Sequence, residues 1–314
     1  MKENNSLAII YILLGMTVFS VQDTLVRIIS SEISILQVLF IRSVVAFIFL
    51  YLILKIKKIP LIYSTAYPFL TILRSLLFIF AFFSYYIGLA YLDYAICTAL
   101  FFTTPFFMTV FSKIFLKEQI GLRRILIIIF GFFGVILIIN PSIESFNYYM
   151  VFPILCALGY SASMIILKLT SEKDNVYSQA VHVYITTIIV APLIIYFGSL
   201  SGAKNINNNV IEFMFMPWAM ELSFSMYLVI ISGLLVVAGF LFIFSAYRIG
   251  KPFVIAPFEY TLLLWSIIYG KLIWGEQIGT QAWVGILIIV ISGIYIFHRE
   301  KINDQSITVE QQLR

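Results

Sequence analysis

Apolar residues run through this chain in long blocks separated by short polar clusters, from "SLAIIYILLGMTVFSVQDTLV" at Ser6–Val26 to "WVGILIIVISGIYIF" at Trp283–Phe297. Blocks of about 20 residues match the hydrocarbon core of a bilayer. Inside lipid each backbone N–H and C=O must be satisfied within its own segment, so such blocks form helices. The pattern predicts an all-α membrane protein of ten transmembrane helices, at about 7–29, 34–54, 67–88, 94–115, 124–140, 150–168, 178–198, 225–246, 253–273 and 281–297. The first block continues past Phe19 with no A-x-A-like cleavage motif, which predicts a retained helix. The longest connection, Ser199 to Ser225, is polar at "AKNINNN" and then carries "FMFMPW", an interfacial segment anchored by Trp218.

Composition supports the same class. The 314 residues are 62% hydrophobic and 11% charged, against roughly 25% charged in soluble domains. The net charge of +5 is scattered in clusters between the blocks, which argues for membrane orientation and against a nucleic-acid face. With the N-terminus inside, 15 of the 20 Lys and Arg fall on the cytoplasmic side. Three, Arg27, Lys204 and Lys271, fall outside, and Arg42 and Arg74 lie within spans. This bias predicts cytoplasmic termini in a bacterial inner membrane.

A phrase recurs. "LKEQIGLRR" at Leu116–Arg124 returns as "WGEQIGTQ" at Trp274–Gln281, so that Lys117, Arg123 and Arg124 stand opposite Gly275, Gln281 and Ala282. The words persist while the positive charges vanish. A repeat of five spans must insert its second copy upside down, turning a cytoplasmic loop into an external one. The expected organisation is a first repeat over 1–141, a second over 142–298 and a polar cytoplasmic tail over 299–314.

"FFTTPFFMTVFSKIFLKEQIGLRRILIIIFGFFGVILI" and "APFEYTLLLWSIIYGKLIWGEQIGTQAWVGILIIVISGIYIF" resemble the two EamA repeats of the drug/metabolite transporter superfamily. "ISILQVLFIRS" and "AYPFLTILRSLLFIFAFFSYYIGLAYL" are similar to its second and third spans. The first half is also similar to a subgroup with S-adenosylmethionine and riboflavin importers, through framework residues common to many members. The resemblance implies a secondary transporter that moves a small organic metabolite (amino-acid-like, S-adenosylmethionine-like or vitamin-like) by alternating access. A metabolite or drug exporter of the same fold is the alternative. The expected partners are that substrate and the bilayer. No G-x-x-x-x-G-K-[ST] stretch is present for ATP, and no H-E-x-x-H or G-x-S-x-G phrase for an enzyme. Two cysteines and two histidines, scattered, suggest no metal and no cofactor. A membrane-embedded scaffold is the reading from another class.

An ionisable side chain within the bilayer costs roughly 3 kcal/mol or more unless paired or hydrated. Four stand out. At about 1.5 Å per residue, Asp23 and Arg42 lie ~9 and ~12 Å from the outer ends of the first and second spans. Arg74 and Glu259 lie ~10 and ~9 Å from the inner ends of the third and ninth. Pairs of Asp23 with Arg42 and of Arg74 with Glu259 are therefore open, and Arg27, one turn on, is a structural partner for Asp23. Glu259 follows Pro257, which removes a backbone hydrogen bond, and precedes Tyr260 and Thr261. It is a candidate for binding substrate or a coupling ion. Pro105, after Thr103 and Thr104, holds the matching place in the fourth span. Phe82, Tyr85, Tyr86 and Tyr91 line a cavity or pack between helices, and Gln22, His182 and Tyr184 are further polar candidates. Glu118 and Glu276 sit beside turns at helix starts, where a carboxylate suits the positive end of the dipole.

Overall fold

The computed structural model describes residues 4–61, 63–117, 122–139, 147–200, 209–218, 221, 223–281, 283–288, 290–292 and 294–295. The first copy of the repeated turn, at 118–121, and the tail at 299–314 lie outside them, as do Gly293 and the side chains of Arg123 and Arg124. Among the described residues the chain is helical and has no strand.

The helices are α1 (Asn5–Ile29), α2 (Ile35–Ile56), α3 (Pro68–Tyr91), α4 (Tyr94–Phe101), α5 (Thr104–Phe115), α6 (Leu122–Ile139), α7 (Val151–Thr170), α8 (Val176–Leu200), α9 (Asn209–Phe215), α10 (Phe224–Ile249), α11 (Pro252–Ile255) and α12 (Thr261–Trp274). Local sequence sets their ends. The Asn4 side chain accepts from the Leu7 N–H at 3.0 Å, and Pro68 opens α3, where a missing N–H costs nothing. Gly275 closes α12 at φ +67°, a left-handed backbone that suits glycine.

Among the described residues, seven segments are long and apolar enough to cross a membrane: α1, α2, α3, α4 with α5, Tyr148–Thr170, Val176–Gly198 and α10. Three of the ten expected spans fall elsewhere. The fifth lies on the 18-residue α6. The tenth lies on a shorter apolar helix, Trp283–Ser292, that packs on α6: a Cβ built on Gly131 would meet that of Ser292 at 3.3 Å. The ninth is divided into α11, a tight 3-10 turn over Ala256–Tyr260 and the 14-residue α12. Pro257 accounts for the tight turn, since it cannot donate the hydrogen bond an α-helix needs there.

The fourth span shows the same physics. Pro105 has no N–H for the carbonyl of Phe101, and α4 gives way to α5 at Phe102–Thr103. The Thr104 hydroxyl donates to that carbonyl at 2.5 Å, replacing the lost donor.

In the bundle α1 runs along α10, α3 along α7, α2 against α8 and α10, and α4 on α12. Its outer surface carries exposed Ile10, Leu14, Leu76, Ile189 and Tyr227, while Gln22, Asp23, Arg42, Arg74 and Glu259 are buried. An apolar exterior around a polar interior suits a bilayer.

Candidate functional site

Glu259 sits on the tight turn between α11 and α12 and is fully buried. The hydroxyl of Tyr160 on α7 donates to its Oε1 at 2.7 Å, and that of Tyr247 on α10 at 2.6 Å. Its Oε2 has no hydrogen-bond partner. One oxygen is thus held from two helices and the other is left to accept a proton or a cationic group. The expected pairing with Arg74 is not formed. Arg74 donates through Nη2 to the carbonyl of Gln179 at 2.5 Å and lies over the Phe244 ring at 5.2 Å. Both residues are fully buried, and the two tyrosines hold the Oε1 of Glu259 from α7 and α10.

Asp23 belongs to a second polar group. Gln22 donates to Asp23 Oδ1 at 3.3 Å and to the Tyr86 hydroxyl at 2.7 Å. Arg42 Nη1 also donates to the Tyr86 hydroxyl, and to Gln22 Oε1 at 3.3 Å. The guanidinium lies over the rings of Phe82 and Tyr86, at 5.2 and 5.4 Å, where a cation gains from the ring face. Asp23 and Arg42 are therefore linked through Gln22 and Tyr86, without a direct ion pair among the described residues. The Tyr85 hydroxyl is 3.2 Å from the Thr98 hydroxyl.

The two groups border one small cavity. It measures about 30 Å³ and is walled by Phe19 and Asp23 of α1, Phe82 and Tyr85 of α3, Phe101 of α4 and Tyr160 of α7, with α10 and α12 completing it. Both ends of the bundle above and below it are tied. At the end holding the N-terminus, Asp174 accepts from the Thr65 hydroxyl at 2.5 Å and the Ala66 N–H at 3.0 Å. There too the Asn4 N–H donates to the Ile249 carbonyl at 3.0 Å. At the far end Arg27 forms an ion pair with Glu276 and stacks over Trp274 at 4.2 Å. Arg27 thus bonds across the bundle and not to Asp23. Glu276 also accepts from the Tyr94 N–H at 3.0 Å, so it caps the positive end of α4, not of a helix of its own.

Other expected residues lie off this centre. His182 is half-buried, with Nδ1 2.6 Å from the Ser178 carbonyl and Nε2 3.0 Å from that of Tyr63. Tyr91 stacks on Tyr149 at 4.3 Å, near the far end. Thr104 serves the helix break, and Tyr260 meets Phe102 edge-on at 4.6 Å. Trp218 packs on Phe40 at 5.2 Å, beyond the short helix α9. Sequence reasoning missed Tyr160 and Tyr247. Tyr160 is the one tyrosine of α7 and Tyr247 one of two in α10, both apolar helices, and nothing in their spacing points to an acid 99 or 12 residues further on.

A bundle with apolar residues on its surface and charged groups closed inside it is that of a polytopic membrane protein. The model of the EamA-like transporter family matches residues 6–140 and again 147–298, and the chain belongs to that family. It is a transporter family, so the protein is not an enzyme. The chain is 27% identical to an S-adenosylmethionine uptake transporter of Rickettsia bellii, over 76% of this chain and 75% of that one. It is 24% identical to a riboflavin transporter of Vibrio cholerae over 63% and 60%. A pseudopaline exporter of Pseudomonas aeruginosa is 21% identical over 90% and 93%. A solved crystal structure superposes with a TM-score of 0.68 at 12% identity, over 92% of this chain and 96% of that one, a likeness of fold alone.

Proposed function

We propose that the chain is a ten-helix secondary transporter that carries a small organic metabolite across a bacterial inner membrane by alternating access. Its two inverted five-helix halves, 1–141 and 142–298, rock about the central cavity, with both termini in the cytoplasm. The observation that carries this reading is a cavity walled by helices of both halves and tied shut at each end by contacts between the halves. Such a geometry corresponds to an occluded intermediate.

Packing supports the inverted repeat. The first helix of each half lies along the third of the other, α1 with α10 and α7 with α3, while second pairs with second and fourth with fourth. Lys117 and Gly275, opposite each other in the repeated phrase, both take left-handed backbone, at φ 54° and 67°. For a lysine that conformation is uncommon, so a shared turn geometry is the simpler explanation.

In this reading Glu259 holds a coupling proton or a cationic part of the substrate through Oε2, Asp23 and Tyr85 stand in the opposite wall, and Gln22, Tyr86 and Arg42 are linked to Asp23 by hydrogen bonds. The S-adenosylmethionine uptake relatives favour import of compounds of that kind, the riboflavin transporters favour vitamin-like compounds, and the pseudopaline exporter keeps the reverse direction open to test. Counterflow in proteoliposomes decides it: vesicles preloaded with S-adenosylmethionine, riboflavin or a broader metabolite pool should take up labelled compound faster than empty ones. No exchange with any member of the pool would remove the transport reading.

A further inference from the structure

A second, larger cavity lies at the far end, between α4, α12, the turn at 276–278 and the Trp283–Ser292 helix. It measures about 210 Å³, and Ala95, Ile267, Lys271, Gln277 and Trp283 stand in its wall together with Glu276. The charges around it leave one unspent. Glu276 is taken up by Arg27 and by the Tyr94 N–H. Asp93, just before Tyr94, is exposed and not part of the wall. Of the three basic residues expected on this side, Arg27 is thus paired and Lys204 lies outside the described residues. Lys271 is exposed, and neither its ammonium nor the Gln277 amide has a hydrogen-bond or ion-pair partner among the described residues. With Arg27 set against Glu276, the wall carries one positive charge in excess, beside an amide donor.

Below Lys271, toward the middle of the bundle, α12 is apolar and bare. Leu264 and Ile268 fall on the same helical face as Lys271 and are 58% and 43% exposed. Leu287, one turn on from Trp283, is 54% exposed. Trp283 is the ring type that settles at headgroup depth. A cation at the top of a bare apolar strip matches an amphiphile with an anionic head, and a free anion would leave the strip unused. We infer that this cavity binds the headgroup of an anionic phospholipid, its phosphate on Lys271 and Gln277 and an acyl chain along Leu264, Ile268 and Leu287, and that the lipid holds the far end closed. Ala95 stands on α4 of the first half, and the rest of the wall belongs to the second. Opening the far end parts these walls and takes the site apart, so the lipid favours the closed arrangement. The gating step rests on the transport reading above; the lipid site does not.

Native mass spectrometry of the full chain in detergent, titrated with phosphatidylglycerol or with phosphatidylcholine of the same chains, tests the site. One bound phosphatidylglycerol should be weakened about fivefold by Lys271→Gln and restored by Lys271→Arg, with phosphatidylcholine alike on all three chains. Lipid held by basic residues of the N-terminal end is common to the three. Phosphatidylglycerol binding that ignores Lys271→Gln would overturn the site, and displacement of the lipid by an equal concentration of glycerol 3-phosphate would assign it to a soluble anion instead. For the gate, nitroxide labels at Ile28→Cys and Ile273→Cys should show a larger short-distance population in bilayers with phosphatidylglycerol than in phosphatidylcholine alone, and Lys271→Gln should remove the difference. No difference while the lipid still binds would overturn the gating and leave the site standing. A far end that stays closed in every lipid and with every compound would contradict the transport reading, and the gating with it, while the lipid site would stand.

Discussion

The two ends of the bundle are tied by different chemistry. At the far end an ion pair joins the halves, Arg27 of α1 with Glu276, whose carboxylate also caps α4; beside it Ser225 donates to Glu32 and Ser34 donates to the Met214 carbonyl at 2.6 Å. At the N-terminal end the ties are several and mostly neutral or single-charge. Asp174 accepts from Thr65 and Ala66, the Asn4 N–H donates to the Ile249 carbonyl at 3.0 Å, and Asn5 accepts from the Lys251 N–H at 3.1 Å. Where one carboxylate serves both an ion pair and a helix N-terminus, as Glu276 does, changing that residue removes both contacts at once. A closure spread over several hydrogen bonds, each worth about 1 kcal/mol, loosens gradually. The far end is therefore the end at which a single substitution should have the larger effect.

The strongest way to break this comparison is Glu276→Ala. It strands Arg27, which is 13% exposed, and leaves the Tyr94 N–H without its acceptor. A loss of about 2–4 kcal/mol is expected, read as a lowered melting temperature in detergent. Exchanging the charges, Arg27→Glu with Glu276→Arg, should recover part of that loss but not all, because an arginine cannot accept from the α4 backbone. Full recovery would reduce the site to a simple ion pair.

Between the ends, Glu259→Gln should keep the fold, since the amide oxygen still accepts from Tyr160 and Tyr247. Under the coupling reading it abolishes pH-driven accumulation and spares pH-independent exchange; under the substrate reading it weakens the substrate itself. Unaltered transport at every pH would remove Glu259 from the site.

Smaller effects belong to the N-terminal end. Asp174→Asn keeps an acceptor for one of its two partners and should cost about 1 kcal/mol, with exchange quickened or unchanged. A loss as large as that of Glu276→Ala would contradict the contrast. Smallest of all is His182→Gln. The residue ties α8 to the 63 loop away from the cavity, so melting should shift by under about 1 kcal/mol with exchange unchanged.

The sequence is legible where periodicity and block length speak: helices, bilayer and family follow from apolar runs and from the twice-written EQIG. It also marks Asp23, Arg42, Arg74 and Glu259, because charge inside a span always needs an explanation. Their partners are less legible. Arg27 has Asp23 one turn away, yet its ion pair is with Glu276 at the other end of the chain, and local helical spacing cannot foresee such a contact. Depth arithmetic put Arg74 level with Glu259 but carries no azimuth around the helix axes. Arg74 ended on the Gln179 carbonyl, and two tyrosines that look like packing residues took the acid. The Glu276 cap follows the dipole logic of its own turn and applies it to a different helix.

Distances across the two ends, measured together, test the central claim most directly. Nitroxide labels are placed at Ile28→Cys and Ile273→Cys for the far end, and at Tyr63→Cys and Glu172→Cys for the N-terminal end, in separate Cys97→Ala, Cys156→Ala chains. These four positions are exposed, whereas both native cysteines are buried. Electron–electron distance measurements in lipid, with and without a transported compound and with Glu276→Ala added, should show the two ends moving in opposite senses: whenever one population lengthens, the other stays short. Both ends lengthening together, as in an open channel, or neither responding to any transported compound, would contradict alternating access.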